Sequence, residues 1–298
     1  MGRDAGAGPR FLRSITDVVG GLEDDGLYTP TIKAHSLEKI ALHDAYAAVF
    51  TTAMRDRWPQ LAYLGLFAGA GRTRVEGTNR IVETTALRTF RMPHPFTKYI
   101  FVDDDPRCID ALQRRIAALP GTHDVTLVPK DVHQAVPDVI AAMPRYGPGR
   151  GLLSLCFIDR YSAALEFRVI RELGSRYKMD FLILLMIGRD IRPNFQRYFD
   201  DPDDTRIGAL IDDPHWRVEW KSRKLQPPDL VPFVYEKFDA AMTRLGYEAA
   251  NRQLSHQVRI AGKKVLLYGL VLYGRDSLAN RLWNAAKIGV DPNYSLGL

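Results

Sequence analysis

Short apolar runs alternate with amphipathic segments along most of the chain, and this alternation predicts strands and helices in regular succession. The runs have the length and the near-continuous hydrophobicity of strands that are buried on both faces of a sheet. The predicted strands cover residues 61–67, 99–102, 125–128, 152–158 and 181–187. The pattern therefore predicts an α/β fold with a doubly wound, mostly parallel sheet that is covered by helices on both faces.

Helical periodicity fills the segments between these strands. We expect helices within residues 33–50, 106–119, 132–143 and 165–173. In the first of them apolar residues recur at three- and four-residue steps, and Lys39 and Asp44 fall on the opposite, polar side. This helix is expected to lead into the first strand of the sheet.

The regular alternation stops after Ile187. Residues 190–228 are rich in Pro, Asp and Arg, which predicts an inserted capping segment. A helix and a C-terminal β-hairpin are expected next, followed by a closing amphipathic helix. We thus predict a helical lead-in (1–60), a cofactor-binding core (61–189), the capping segment (190–228) and a last part that completes the core (229–298).

Composition narrows the class of protein. The chain has 298 residues, of which 46% are hydrophobic, enough for a substantial core. No apolar run reaches the roughly 18 to 20 residues that cross a bilayer, so we expect a cytoplasmic protein without a membrane partner. The two cysteines, Cys108 and Cys156, are expected to be reduced core thiols. The seven histidines lack metal-ligand spacing, so no metal site is predicted.

Basic residues concentrate in two places, and the net charge of +6 is compatible with a polyanionic partner. Arg189 and Arg192 belong to the first place, and Trp216 and Trp220 alternate with cations in the second. Interleaved aromatic and cationic side chains are typical of nucleic-acid contacts. A solvated surface with two anchoring tryptophans is the alternative.

A glycine-rich turn follows the first predicted strand. Its residues are Phe67, Ala68, Gly69, Ala70 and Gly71. Glycine lacks the Cβ atom that would keep a ligand away from the backbone and permits positive φ, so this turn is a candidate cofactor site. An ordinary strand-to-turn junction is the alternative.

Carboxylates follow the next strands, and strand ends of a parallel sheet meet in one crevice. Asp103, with Asp104 as the fallback, is placed to accept hydrogen bonds from ribose hydroxyls. Asp131 could accept from an adenine amine, or could simply cap the helix that follows.

Asp159, Arg160 and Tyr161 close the fourth strand and are the catalytic candidates. Asp159 could accept a hydrogen bond from an amine while the ring of the substrate stacks on Tyr161. A purely structural Asp159 is the alternative.

Three segments resemble the three-Cys-motif partner protein family (TcmP), which is methyltransferase-like. They are Tyr28-Thr29-Pro30-Thr31-Ile32-Lys33-Ala34-His35, Leu64-Gly65-Leu66-Phe67-Ala68-Gly69-Ala70-Gly71 and Cys156-Phe157-Ile158-Asp159-Arg160-Tyr161. The tail from Leu267 to Trp283 is similar to the family's closing strand and helix. Gly65 stands where the family has an acidic residue, and Arg160 replaces a proline.

The resemblance implies a class I methyltransferase-like Rossmann fold, S-adenosylmethionine (SAM) as cofactor, and a partner that carries a three-Cys, iron-sulfur motif. From it and the residues above we expect methylation of an amine in a nucleic acid or nucleotide-like substrate. A non-catalytic partner protein that binds the three-Cys-motif protein or a nucleic acid is the first alternative. Transfer of the aminocarboxypropyl group of SAM is the second.

Overall fold

The computed structural model describes residues 21–160, 165–249, 255–259 and 266–290. The strands are β1 (Thr31–Ile32), β2 (Gln60–Leu66), β3 (Arg72–Val75), β4 (Ile81–Glu83), β5 (Lys98–Val102), β6 (Val125–Val128), β7 (Leu152–Ile158), β8 (Met179–Leu185), β9 (His256–Arg259) and β10 (Leu266–Tyr273). The helices are α1 (Ser36–Met54), α2 (Thr85–Arg88), α3 (Pro106–Ala117), α4 (Val132–Ala142), α5 (Phe167–Arg176), α6 (Arg192–Asp200), α7 (Arg206–Ile211), α8 (Trp216–Ser222), α9 (Leu230–Arg244) and α10 (Ser277–Val290). None of these helices combines the length and the apolarity required to cross a bilayer.

A seven-stranded sheet forms the centre of the fold, in the order β6-β5-β2-β7-β8-β10-β9. β10 is antiparallel to both of its neighbours, and the other strands pair in parallel. From β2 the chain moves outward to β5 and β6, and it then returns to β7 on the other side of β2. The predicted doubly wound, mostly parallel sheet with a C-terminal hairpin is confirmed, and the strand order reverses at β2.

Two apolar layers cover the sheet, because successive residues of a strand point to opposite faces. Ala62, Leu64 and Leu66 of β2 belong to one hydrophobic cluster, together with α4, α5 and α9. Leu61 and Tyr63 of the same strand belong to the other, together with α1 and α10. The sheet is therefore buried on both faces.

The predicted polar side of α1 is wrong. Lys39 and Asp44 are 2% and 1% exposed, and the helix is buried on nearly its whole circumference. Both charges have partners that are distant in sequence, Asp159 for Lys39 and Arg88 for Asp44. Buried charges persist when they are paired in this way.

The segment expected to be an inserted cap forms α6, α7 and α8. Its apolar residues, including Phe195, Leu210 and Trp216, join the same cluster as the central strands. This segment therefore adds a helical layer to the main core. A π-helical turn at Ile187–Ile191 connects it to β8.

A second, smaller sheet was not anticipated from the sequence. β1 pairs in parallel with β3, and β3 pairs with β4 in an antiparallel hairpin. β3 begins directly after the glycine-rich turn. At the other end of the hairpin, Thr84 N donates a hydrogen bond to Gly71 O at 2.8 Å, which holds the small sheet against the turn. It forms one wall of the cleft described next.

Candidate active site

The glycine-rich turn that follows β2 has three residues with positive φ, a conformation that is strained for Phe67 and unstrained for the glycines. Phe67, Gly69 and Gly71 have φ of 64°, 67° and 81°. At Gly69 an added Cβ would meet nothing within 4 Å, so the backbone there faces open space. At Gly71 it would lie 2.9 Å from both Leu87 and Leu112. Gly71 is thus required for packing, and Gly69 alone of these two glycines offers bare main chain to a ligand.

A buried arginine, Arg115, holds the glycine-rich turn in place through a hydrogen bond to its backbone. Arg115 Nη1 donates to Ala70 O at 2.6 Å, and Nε and Nη2 each contact the Asp25 carboxylate at 2.8 Å. The hydrogen bond from Arg115 lowers the pKa of Asp25 to about 2, against the opposing effect of burial. Sequence analysis did not identify Arg115, because its partners lie 45 and 90 residues away along the chain.

Asp103 joins the turn to the end of β5. Its Oδ2 accepts from Gly69 N at 2.8 Å, and its Oδ1 accepts from Asp105 N at 3.1 Å. Burial raises the pKa of Asp103 above its usual value, although these backbone bonds oppose the shift. A carboxylate has about four acceptor positions, so both oxygens keep capacity for ribose hydroxyls. Asp104 is exposed beside it.

Asp131 is the N-cap of α4, which was one of the two roles considered for it in the sequence analysis. Its Oδ1 accepts from His133 N and from His133 Nδ1, both at 2.8 Å. Burial opposes ionisation, but these hydrogen bonds prevail and lower the pKa of Asp131. The contact with an adenine amine remains a prediction.

A cleft of about 420 Å³ opens over the carboxyl end of β2 and beneath the small sheet. Gly69 and Asp159 contribute to its floor, and Lys33, Glu76 and Arg189 surround them. The remaining lining residues are Pro30, Thr31, Ile32, Ser36, Phe67, Ala68, Ala70, Thr73, Thr84 and Thr85. Clefts of this size accommodate small molecules, and this one lies at the switch point of the sheet, where α/β proteins bind ligands.

Asp159 is bound by a buried lysine that the sequence did not identify. Lys39 Nζ lies 2.5 Å from Asp159 Oδ1, and the two side chains are 3% and 15% exposed. Within the described part of the chain, no donor is bound to Oδ2. The carboxylate is therefore oriented by Lys39 and keeps one oxygen for a donor in the cleft.

Of the other two catalytic candidates, Arg160 is described by the structure and Tyr161 is not. The guanidinium of Arg160 lies 4.8 Å from the centre of the Phe67 ring, and its charge helps to lower the pKa of Asp131. Arg160 therefore lies beside the end of β2 and contributes positive charge near Asp131. Tyr161 lies outside the described residues.

Two cations and one carboxylate, Glu76, are exposed among the residues that line the cleft. Lys33 and Arg189 are exposed there. The pKa of His35 is lowered, first by burial and then by the charges of Arg189, Lys33 and Lys39. Arg192 is exposed at the start of α6 and is not among the residues that line the cleft.

The expected stacking role of Trp216 and Trp220 is wrong. Their side chains are in the core, 1% and 5% exposed. The Trp220 ring lies 4.8 Å from Phe195 and 5.3 Å from Phe233, measured between ring centres. Base stacking requires an accessible ring face, so neither tryptophan can supply it.

Gly65 cannot be replaced by an acid without rearrangement. A Cβ there would lie 2.9 Å from the Phe101 ring. The Phe101 ring therefore occupies the space that a side chain at position 65 would need.

No protein family model and no curated protein matches the chain. Similar solved structures include LPL1258 from Legionella pneumophila, at 9% identity and a TM-score of 0.46 over 85% of this chain and 94% of that one. Magnesium protoporphyrin IX methyltransferase (ChlM) from Synechocystis, crystallised with bound SAM, has 9% identity and a TM-score of 0.40 over 88% and 89%. A chain from a complex with the Haloferax volcanii Trm112 methyltransferase activator has 11% identity and a TM-score of 0.39 over 80% and 91%. Similarity this weak concerns the arrangement of the sheet alone, so the function has to be inferred from the cleft.

Proposed function

We propose that this protein is a SAM-dependent methyltransferase whose acceptor is an amine on an anionic, nucleotide-like molecule. The observation that carries the proposal is the open backbone at Gly69, hydrogen-bonded to Asp103 at the switch point of the sheet. Bare main chain beside a strand-end carboxylate suits the ribose and the adjacent part of an adenosyl group. Bound SAM would supply an electrophilic methyl group.

The residues of the cleft suit an amine acceptor. Asp159 Oδ2 can accept an N–H of the amine, which orients the nitrogen lone pair away from the carboxylate and toward the cofactor side. Lys39 holds Asp159 in place for this role. The cations Lys33 and Arg189 at the mouth favour an acceptor that carries phosphate.

The variant Gly69→Ala tests the cofactor site. Its methyl group would project into the open space, so SAM binding measured by calorimetry should weaken at least tenfold. Gly121→Ala is the matched control, because Gly121 also has a positive φ, 89°, with only the distant His123 near its Cβ position. Both variants place alanine at a positive φ, so both carry a similar backbone strain of roughly 1 to 2 kcal/mol. No binding of SAM to the unaltered protein at millimolar concentration, or equal binding to both variants, would overturn the proposal.

A second candidate is a non-catalytic partner protein that keeps the cofactor fold. The steric obstacle to an acid at position 65 favours it, because the site then has one polar group fewer for holding a cofactor. The resemblance to three-Cys-motif partner proteins fits this candidate. Incubation with SAM and a nucleotide pool, followed by mass spectrometry, separates the candidates. A product heavier by one methyl supports methylation, an aminocarboxypropyl adduct supports the other transfer, and cofactor binding without product supports the partner role.

A further inference from the structure

A second hollow, also of about 420 Å³, lies at the amino end of the sheet, opposite the cleft. It is bounded by the residues that precede β2, β7 and β8 and by the residues that follow β10. Three aromatic rings line it, those of Trp58, Tyr146 and Tyr177. We call it the basic aromatic pocket, because four cations line it as well: Arg150, Arg176, Lys178 and Arg275.

The four cations are uncompensated. Within the described residues none of them lies within 4.0 Å of a carboxylate, and the hydrogen bonds that Arg176 and Arg275 donate go to the backbone carbonyls of Glu172 and Gly174, which carry no net charge. An adjoining hollow beyond Lys178 and Arg275 holds Asp180 and Asp276. Asp180 accepts the hydroxyl of Tyr46 at 2.8 Å. The basic aromatic pocket therefore has a positive potential that an anion would neutralise.

The aromatic rings are held in place before any ligand binds. Tyr146 is 56% exposed, yet its hydroxyl donates to Arg176 O at 2.8 Å and its ring meets Tyr177 edge to face. Trp58 packs beside Gly151, where an added Cβ would be 3.2 Å from the indole ring. Lys178 Nζ lies 5.3 Å from the centre of that ring. Fixed, accessible rings beside cations are the arrangement that stacks a nucleobase and binds its phosphate.

We infer that the basic aromatic pocket binds a nucleotide, with the base stacked on Tyr146 or Trp58 and the phosphate contacting the cations. The site is separate from the cleft and does not depend on the methyltransferase proposal. Free nucleotides and the ends of an RNA chain share this chemistry. The experiment therefore uses AMP, a short single-stranded oligoadenylate and inorganic phosphate as separate probes.

Tryptophan fluorescence gives a local readout. Trp58 is partly exposed, and the other three tryptophans, Trp216, Trp220 and Trp283, are buried. AMP or oligoadenylate should quench the Trp58 signal, and Trp58→Phe should remove the change. Binding of both probes supports a free nucleotide as ligand, and binding of oligoadenylate alone supports an RNA end. No quenching by either at millimolar concentration, or equal competition by inorganic phosphate, would overturn the inference.

Two pairs of variants test the residues. Tyr146→Ala should weaken binding about 5- to 100-fold, while Tyr146→Phe, which keeps the ring, should weaken it little. Lys178→Gln should reduce the slope of log affinity against log salt by about 1, and Lys221→Gln, an exposed lysine of α8, should leave it unchanged. Gly69→Ala should not affect this binding. The inference fails if the members of each pair behave alike while thermal melting shows that all are folded.

Discussion

At the scale of single residues, the buried charges of α1 set the chemistry of the cleft. Lys39 is nearly inaccessible to solvent, and its ammonium group contacts Asp159 at the cleft floor. Removing one partner of a buried pair leaves the other charge desolvated, whereas removing both can be nearly neutral. The pair therefore determines both the orientation of Asp159 and the stability of the contact between α1 and β7.

Lys39→Met should lower the free energy of unfolding by about 3 kcal/mol, because the Asp159 carboxylate, only 15% exposed, would lose its counter-charge. Urea denaturation measures this change. The double variant Lys39→Met/Asp159→Asn should be destabilised by less than Lys39→Met alone. If the effects of the single substitutions simply add, the two side chains are not coupled and the assigned role of Lys39 is wrong.

At the scale of elements, continuous apolar runs predicted the central strands to within two residues: β7 matches its expected range, and β8 is displaced by two. β3 and β4 were missed because they are only four and three residues long, and β3, Arg72–Val75, has a single apolar residue. Trp216 and Trp220 are four residues apart on α8, a spacing that places both on one buried face. The partner of Lys39 is 120 residues away, a distance that no local pattern encodes.

Comparison of two helix caps can show whether Asp131 only caps α4 or also contacts a ligand. Asp105 caps α3 by accepting from Arg107 N at 2.9 Å, and Asp131 caps α4 by accepting from His133 N at 2.8 Å. Asp105→Ala and Asp131→Ala should each cost about 1 kcal/mol of stability. If Asp131 also contacts the adenine, only Asp131→Ala should weaken SAM binding in calorimetry. If the two variants bind SAM with equal affinity, Asp131 serves only as a helix cap.

At the scale of the whole molecule, buried carboxyl–tyrosine bonds join the sheet to its two helical layers. Asp180 of β8 accepts from Tyr46 of α1 at 2.8 Å, and Asp239 of α9 accepts from Tyr273 of β10 at 2.6 Å. Burial raises the pKa of Asp180 to about 7 and that of Asp239 to about 6. Both tie a helix to the sheet, so their ionisation is linked to the stability of the whole fold.

Stability should therefore fall as the pH rises from about 4 to about 7. In this window the unfolded chain has already lost the Asp180 proton, because its usual pKa is 3.8, whereas the native state retains it. The unfolded state then binds fewer protons, and the free energy of unfolding decreases by up to about 1.4 kcal/mol per pH unit for this group.

Asp180→Asn can still accept a hydrogen bond from Tyr46 but cannot ionise, so the stability of this variant should depend less on pH. At pH 8 the variant should be more stable than the unaltered protein. Urea unfolding at pH 5, 6, 7 and 8 measures both curves. Parallel curves would mean that Asp180 is ionised in the native state, and the burial-driven shift of its pKa would be refuted.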